Sequence, residues 1–543
     1  MSLEQQHEAS DPRFSAWVEA SAGAGKTKIL TDRVLRLLLA GVPPERILCL
    51  TFTKAAAAEM AMRITSRLSA WSLASDATLC DDLLSLSGKR AKQNVLERAR
   101  GLFALVVDSA EKLQVVTIHG FCQSLLRRFP LEAKLSPQFD VIDDTIAKEY
   151  LKTARDLIIR KAISEQNGPF SHAFIELAEI INEAELSNLL EEIISEQYRF
   201  REIFEGPANE KTLGNIIRTQ LNINSLEIEL KTIEEISSYD SKTLAELEKA
   251  VVILMLGNQS DRALSNTIKN WLQNKKPNRA SFEIYKLGFL TQKGSIRTRL
   301  ASVKIFNEHP SLEQTLTSEA SRLTAVDDKL KCFDLVSRNE KLAFLSQSVM
   351  QLYTENKKNN AVIDYNDLVT LANRLIENDE ISPWILYKLD GGIDHLLLDE
   401  AQDTNSDQWK IVETLVKEFF TQQNGIGNLG PRTLFVVGDP KQSIFSFQGA
   451  DPKLFKMKQQ TLKESFKLAK QPWKEVKLDI SYRSSAAVLE AVDTVFESES
   501  SEFSSIKHHP FRSGQAGLVE IWPPEGPVDR KPRDFWSVPG KQI

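Results

Sequence analysis

Ala20-Ser21-Ala22-Gly23-Ala24-Gly25-Lys26-Thr27, entered from Trp17-Val18-Glu19, decides the fold class of this 543-residue chain. Trp17 to Ala20 reads as a short buried strand, the small residues as a loop and Lys26 onward as a helix, which together form a phosphate cradle. Gly23 and Gly25 let backbone N–H groups close on a triphosphate. Lys26 reaches its β and γ phosphates, and the Thr27 hydroxyl is placed to ligate Mg²⁺. Ala20 stands where the first glycine of such a loop usually falls, and Ser21, Ala22 and Ala24 complete the octet expected to line the nucleotide. The Gly-Lys core alone is common, as Gly88-Lys89-Arg90 shows, and a second motif supplies the missing context.

That motif lies far downstream. Leu396-Leu397-Leu398 followed by Asp399-Glu400-Ala401-Gln402-Asp403 reads as a buried strand that delivers carboxylates to the edge of a parallel sheet, where ligands bind. Asp399 is expected to hold Mg²⁺ through its water shell and Glu400 to orient and deprotonate an attacking water. The pair of motifs describes an engine that hydrolyses nucleoside triphosphate.

Length excludes a single core and suggests three or four domains. A hydrophobic content of 42% with 26% charged residues is ordinary for a globular enzyme. No apolar run approaches 18 residues and the N-terminus is polar and acidic, so neither a membrane span nor a signal peptide is expected, and the location expected is cytoplasmic. Cys49, Cys80, Cys122 and Cys332 are scattered without Cys-x-x-Cys spacing, which argues against a zinc or iron–sulfur site. The net charge of −6 provides no global attraction for nucleic acid, so DNA binding would need local patches.

Strands are expected at Trp17 to Ala20, Ile47 to Phe52, Gln114 to Ile118, His395 to Asp399, Thr433 to Gly438 and Val476 to Ile480, each followed by a helix or a polar loop, which is α/β punctuation. Between Asp143 and Asn360 long amphipathic patterns such as Thr145 to Ser164 and Phe174 to Glu196 replace the strand signal. The expected organisation is a P-loop RecA-like parallel-sheet domain in two parts (1–142 and 361–475), interrupted by a large all-α insertion (143–360) and followed by the start of a second RecA-like domain (476–543). Thr421 to Pro431, with three Gly and two Asn, is expected to be a surface loop.

The remaining polar clusters follow in an order that resembles a UvrD-like superfamily 1 DNA helicase, and within that family the AddA type of helicase-nuclease. By that resemblance Gln6 reads the adenine edge. Thr51-Phe52-Thr53-Lys54-Ala55 is similar to the DNA-facing segment of the first domain, which implicates Phe52, Thr53 and Lys54. Thr117-Ile118-His119-Gly120 resembles a second DNA-contacting loop in which Thr117 and His119 reach backbone phosphates. Gly438-Asp439-Pro440-Lys441-Gln442-Ser443-Ile444-Phe445-Ser446-Phe447-Gln448-Gly449-Ala450-Asp451 is the most specific match. In it Gln442 would sense the γ-phosphate while Phe445 and Phe447 lie under a single strand, stacking on any base. Alternating Phe also fits plain core packing. Ser481-Tyr482-Arg483 resembles the first motif of the second lobe, with Tyr482 stacking on adenine and Arg483 acting as an arginine finger. Asp364-Tyr365-Asn366-Asp367 fits either the family's acidic lead into a helix or simple capping acids.

The chain departs from the family pattern at Ala55, where many relatives carry lysine, at Gln448, where arginine is common, and at Ser481, where asparagine is frequent. Later helicase motifs and a nuclease carboxylate cluster have no counterpart, so the chain is expected to end inside a domain. The resemblance implies ATP and Mg²⁺ as cofactors and 3′–5′ movement on DNA in double-strand-break repair. The partners it implies are single-stranded or duplex-end DNA and an AddB-like protein, and the location it implies is nucleoid-associated. The rival expectation is a module that binds ATP and DNA without turnover.

Overall fold

The computed structural model describes residues 2–108, 113–165, 167–195, 213–223, 233, 238–378, 382–388, 393–421, 432–443, 451–497 and 508–523. The chain divides into two compact units, residues 1–141 with 363–543, and residues 142–362.

The first unit is built on a parallel six-stranded sheet. Its strands are β1 (Ser15–Ala20), β2 (Ile47–Thr51), β3 (Gln114–Thr117), β4 (His395–Leu398), β5 (Thr433–Gly438) and β6 (Trp473–Leu478), in the spatial order β3-β2-β4-β5-β1-β6. The α/β parallel-sheet class expected from the motifs is therefore the one observed. Both faces of the sheet are covered, which explains why these strands read as unbroken apolar runs. Leu396 and Leu398 face one core with Trp17, Trp409 and Phe455, whereas Leu397 faces the other with Val18, Phe435 and Val437. Cys49 and Cys122 are buried in these cores, and Cys80 and Cys332 are partly exposed free thiols.

Helix α1 (Ser2–Ala9) precedes β1, and α2 (Lys26–Ala40) follows it. Gly25 at φ 91° starts α2 and Gly41 at φ 94° ends it, both in the left-handed region that a Cβ disfavours. Helix α3 (Lys54–Leu73) is capped by the Thr53 side chain and α4 (Ile118–Arg128) by that of Thr117. Every strand of a parallel sheet ends at the same edge, so the phosphate loop, Thr53-Lys54, Thr117-His119, Asp399-Glu400 and Asp439-Gln442 all emerge there.

Two expectations about boundaries are corrected. The last strand starts at Trp473, and its pairing with β1 runs from Ser15–Trp473 to Ala20–Leu478, so a boundary after residue 475 falls inside β6. The strand β7 (Ile480–Ser485) then pairs in parallel with β8 (His509–Arg512) in a separate two-stranded sheet. The pattern Phe174 to Glu196 is two helices, Pro169–Ala178 and Glu183–Ser195. The Asn182 side chain accepts from Glu185 N at 2.9 Å while the Glu185 side chain accepts from Asn182 N at 3.2 Å, a capping box that starts a new helix.

The second unit is helical. Its longest element, Pro310–Asn359, has 50 residues and spans about 75 Å at 1.5 Å per residue. It contributes Leu312, Leu316 and Leu323 to one core and Leu345, Val349 and Tyr353 to another. No described helix is long and apolar enough to cross a membrane. The expected loop Thr421 to Pro431 lies almost wholly outside the described residues.

Candidate nucleotide-binding site

The phosphate loop closes on its own backbone and on β7. Ala24 N donates to Ser21 O at 3.0 Å, Ser21 N to Leu478 O at 3.2 Å, and Tyr482 N to Gly23 O at 2.9 Å. Gly23 has φ +75°, and a Cβ there would lie 2.7 Å from the Arg483 Cβ and 2.8 Å from the Ser481 hydroxyl. The loop therefore requires glycine for two reasons, a left-handed backbone and a close approach. Gly23→Ala is expected to weaken nucleotide binding roughly tenfold or more, from a left-handed cost of about 1–2 kcal/mol with the clash added. A fluorescent-nucleotide titration checks this, and unchanged affinity would refute the packing argument.

Lys26 opens α2 and points at the acidic strand end. Its ammonium lies 2.7 Å from Glu400 Oε2 and 3.5 Å from Gln442 Oε1. Residues that follow β1, β4 and β5 thus meet at one point. Glu400 sits at φ 48°, ψ 45°, a left-handed backbone that costs a non-glycine residue about 1–3 kcal/mol and turns its carboxylate back across the sheet edge. Asp399 N donates to Leu50 O at 2.9 Å and the Asp399 Oδ1 accepts from Glu400 N at 3.0 Å, which anchors the turn to β2.

Gln402, to which the sequence alone assigns no role, links the site. Its Nε2 donates to Glu400 Oε2 at 2.8 Å and to Asp403 Oδ2 at 3.1 Å, while its Oε1 accepts from Asp439 N at 2.9 Å. Gln442 Nε2 in turn donates to Asp439 Oδ2 at 2.6 Å. A hydrogen-bonded path therefore runs from the acidic strand end to the loop after β5. The signal for it in the sequence is its position two residues after Glu400, where a buried polar side chain needs partners.

Burial, with repulsion from Glu400, pushes the Asp399 carboxyl up to about 7 despite the nearby Lys26. Burial likewise pushes Asp403 up to about 6. One oxygen of Asp403, Oδ1, is buried and has no hydrogen-bond partner among the described residues. Desolvated carboxylate oxygens, one of them without a partner among the described residues, are hard donors of the kind a hydrated Mg²⁺ takes. Both carboxyls titrate above the ordinary aspartate range in the folded protein, so the fold favours their protonated forms. The stability this contributes is complete below about pH 4 and is lost as pH rises through 6 and 7. Asp399→Asn is expected to flatten that part of the nucleotide-free protein's urea-midpoint profile between about pH 4.5 and 7.5. An unchanged slope would sink this account.

Helix α1 carries Gln6, whose Nε2 donates to the Tyr482 hydroxyl at 3.2 Å and whose Oε1 accepts from Lys28 at 3.3 Å. Lys28, also without a role assigned from the sequence, is anchored on Asp32 at 2.8 Å. Arg483 is exposed beside Gly23. Thr53 and Lys54 are exposed at the start of α3 and Phe52 is half-buried before them. Thr117 is largely buried, and its hydroxyl accepts from Gly120 N at 3.0 Å. His119 packs edge-on against Tyr365 at 5.5 Å. Asp364 and Asp367 form a capping box, with Asp367 N donating to Asp364 at 2.8 Å and Asp364 N to Asp367 at 3.1 Å. Phe445, Phe447 and Gln448 lie outside the described residues.

A parallel sheet with a phosphate loop after its first strand and facing carboxylates after another strand defines a P-loop nucleotide-binding protein of the RecA-like type. Residues 1–463 match the UvrD/REP helicase N-terminal domain, and the chain belongs to that family. It is similar to the A subunit of the ATP-dependent helicase/nuclease from Lactobacillus gasseri, 26% identical over 484 residues that cover 84% of this chain and 37% of the relative. The protein of the same name from Lactobacillus acidophilus is 26% identical over 539 residues, covering 93% of this chain and 41% of the relative. The chain thus spans about two-fifths of the length of these relatives.

Proposed function

We propose that this chain is the ATP-hydrolysing part of a DNA helicase or translocase that moves 3′ to 5′ on single-stranded DNA and serves double-strand-break repair. The observation that carries this reading is the meeting of Lys26, Glu400 and Gln442 within hydrogen-bonding reach at the sheet edge. Residues 1–142 and 361–478 act as the first RecA-like lobe, 143–360 as a helical insertion, and the residues from 479 as the start of the second lobe. ATP is the substrate, read by Gln6 and Tyr482 at the base and by residues 20–27 at the phosphates.

Lys26 leaves Glu400 for the β and γ phosphates when nucleotide arrives, which frees the carboxylate to act as base. Glu400 then accepts a proton from a water that attacks the γ-phosphorus in line, the β–γ bridge bond breaks, and ADP and phosphate leave. Mg²⁺, when bound by Thr27 and Asp399, neutralises phosphate charge. Gln442 reports the γ-phosphate through Asp439 and Gln402, and Arg483 approaches from beyond β6 to stabilise charge on the transferring group. The DNA path uses Phe52, Thr53, Lys54, Thr117 and His119 with Phe445 and Phe447, and an AddB-like protein is the partner.

Steady-state ATP hydrolysis with and without single-stranded DNA tests the reading. Stimulation by DNA is expected, together with a KM for ATP that rises in Gln6→Ala while GTP is unaffected. ATP binding without turnover under either condition would replace this reading with that of a binding module.

A further inference from the structure

The helix Pro452–Leu468 carries a feature that the nucleotide site does not use. From Asp451 to Lys470 there are six lysines, Lys453, Lys456, Lys458, Lys463, Lys467 and Lys470, against two carboxylates, in a chain whose net charge is −6. Phe455, Leu462 and Phe466 are buried and fix the inner face of the helix to the sheet core. At 100° per residue Lys453, Lys456, Lys463 and Lys467 fall within about 80° of one another on an outer flank, a ridge about 21 Å long. Lys453, Lys456, Lys463, Lys467 and Lys470 are exposed.

The lysines divide by partner. Lys458 pairs with Glu413 at 2.7 Å and Lys463 with Glu475 at 3.0 Å, whereas among the described residues Lys453, Lys456, Lys467 and Lys470 have no ion pair. Helix stability accounts for Lys467 and Lys470, which complement the negative C-terminal end. It does not account for Lys453 and Lys456, which place positive charge in the first turns against the positive end of the dipole. Asp451, the N-cap whose side chain accepts from Lys453 N at 2.9 Å, is the residue there with the favourable sign. A row of exposed ammonium groups along one flank, of which only that of Lys463 has an ion pair among the described residues, in an otherwise acidic protein, suits a linear polyanion.

We propose that this lysine ridge is an additional docking surface for the phosphate backbone of nucleic acid, outside the residues already given a DNA-facing role. The inference rests on the reading of the chain as a DNA motor. Each lysine engaged displaces condensed counterions and carries no base preference, so the ridge adds affinity without sequence specificity.

The test replaces Lys453, Lys456, Lys467 and Lys470 together by glutamine in the full chain and follows binding of a labelled single strand and a blunt duplex by anisotropy from about 50 to 300 mM salt. The slope of log affinity against log salt is expected to fall by about 3, at roughly 0.7–0.9 for each phosphate no longer neutralised, on whichever DNA form the ridge engages. Affinity near 100 mM salt is expected to drop at least about tenfold. ATP hydrolysis without DNA is expected to stay at its wild-type value, and the urea midpoint to move little, because losing Lys467 and Lys470 at the negative helix end is offset by removing Lys453 and Lys456 from the positive end. Lys89→Gln, Arg90→Gln, Lys92→Gln and Lys249→Gln together, four exposed charges outside this helix, serve as a control for net charge. An unchanged slope on both DNA forms, or an equal loss in the control, overturns the proposal. Wild-type protein that binds neither DNA with salt dependence would overturn the motor reading itself.

Discussion

Replacing Glu400 by Gln is expected to lower the ATP turnover number by roughly 10²–10⁴, or about 3–5 kcal/mol of barrier, with nucleotide binding retained. The side chain keeps its volume and its acceptor for Gln402, which now bonds Glu400 Oε2 at 2.8 Å, so the local geometry survives. What disappears is the proton acceptor and the carboxylate that holds Lys26 at 2.7 Å. Lys26 is then free for the phosphates before any nucleotide arrives, and ATP affinity is expected to hold or rise. Single-turnover hydrolysis beside equilibrium binding separates the two effects. Turnover within about tenfold of wild type would remove Glu400 from the role of base, and loss of binding would show that it holds the cradle together.

Arg33→Met is expected to cost about 3–5 kcal/mol of stability, because it leaves buried carbonyls without a donor. Arg33 is 0% exposed, and its guanidinium donates to Ala9 O at 3.3 Å, Asp11 O at 2.7 Å, Phe14 O and the Thr433 hydroxyl at 3.1 Å. These bonds tie the segment after Gln6 to α2, the helix that starts at the phosphate loop. Arg36 adds bonds to His7 O at 2.7 Å and the Ser10 hydroxyl at 2.8 Å. The variant is therefore expected to lower the urea midpoint and to raise the KM for ATP as Gln6 loses its seat. A normal midpoint would mean that the N-terminal segment is held by its apolar contacts alone.

Much of the site is legible in the sequence because its chemistry is local. Strand, small-residue loop and Gly25-Lys26-Thr27 announce a cradle within a short stretch, and three leucines before Asp399 announce a buried strand end. The helix break at Asn182 is also readable, since an Asn with Glu three residues later is a start signal. The longer apolar pattern across it obscures that signal. Asp364 and Asp367 have two readings, and the observed cap shows one of them in place. Gln402 and Lys28 go unassigned because each acts through partners distant in sequence. Gln402 bonds the backbone of Asp439 and Lys28 bonds Gln6, and no spacing rule reaches either.

By itself, then, the sequence determined the class of fold, the phosphate loop, the carboxylates opposite it and the family. These depend on residue types at short spacing, where backbone geometry leaves few choices. Tertiary structure alone decided which strands are neighbours. The order β3-β2-β4-β5-β1-β6 brings Lys26 to Glu400 across 374 residues. It also decided that β6 belongs to the first sheet and that burial pushes the Asp399 carboxyl up to about 7. Strand pairing and desolvation arise from contacts between distant segments. A carboxylate therefore acquires its charge state, and a lysine its partner, only once the sheet has assembled around them.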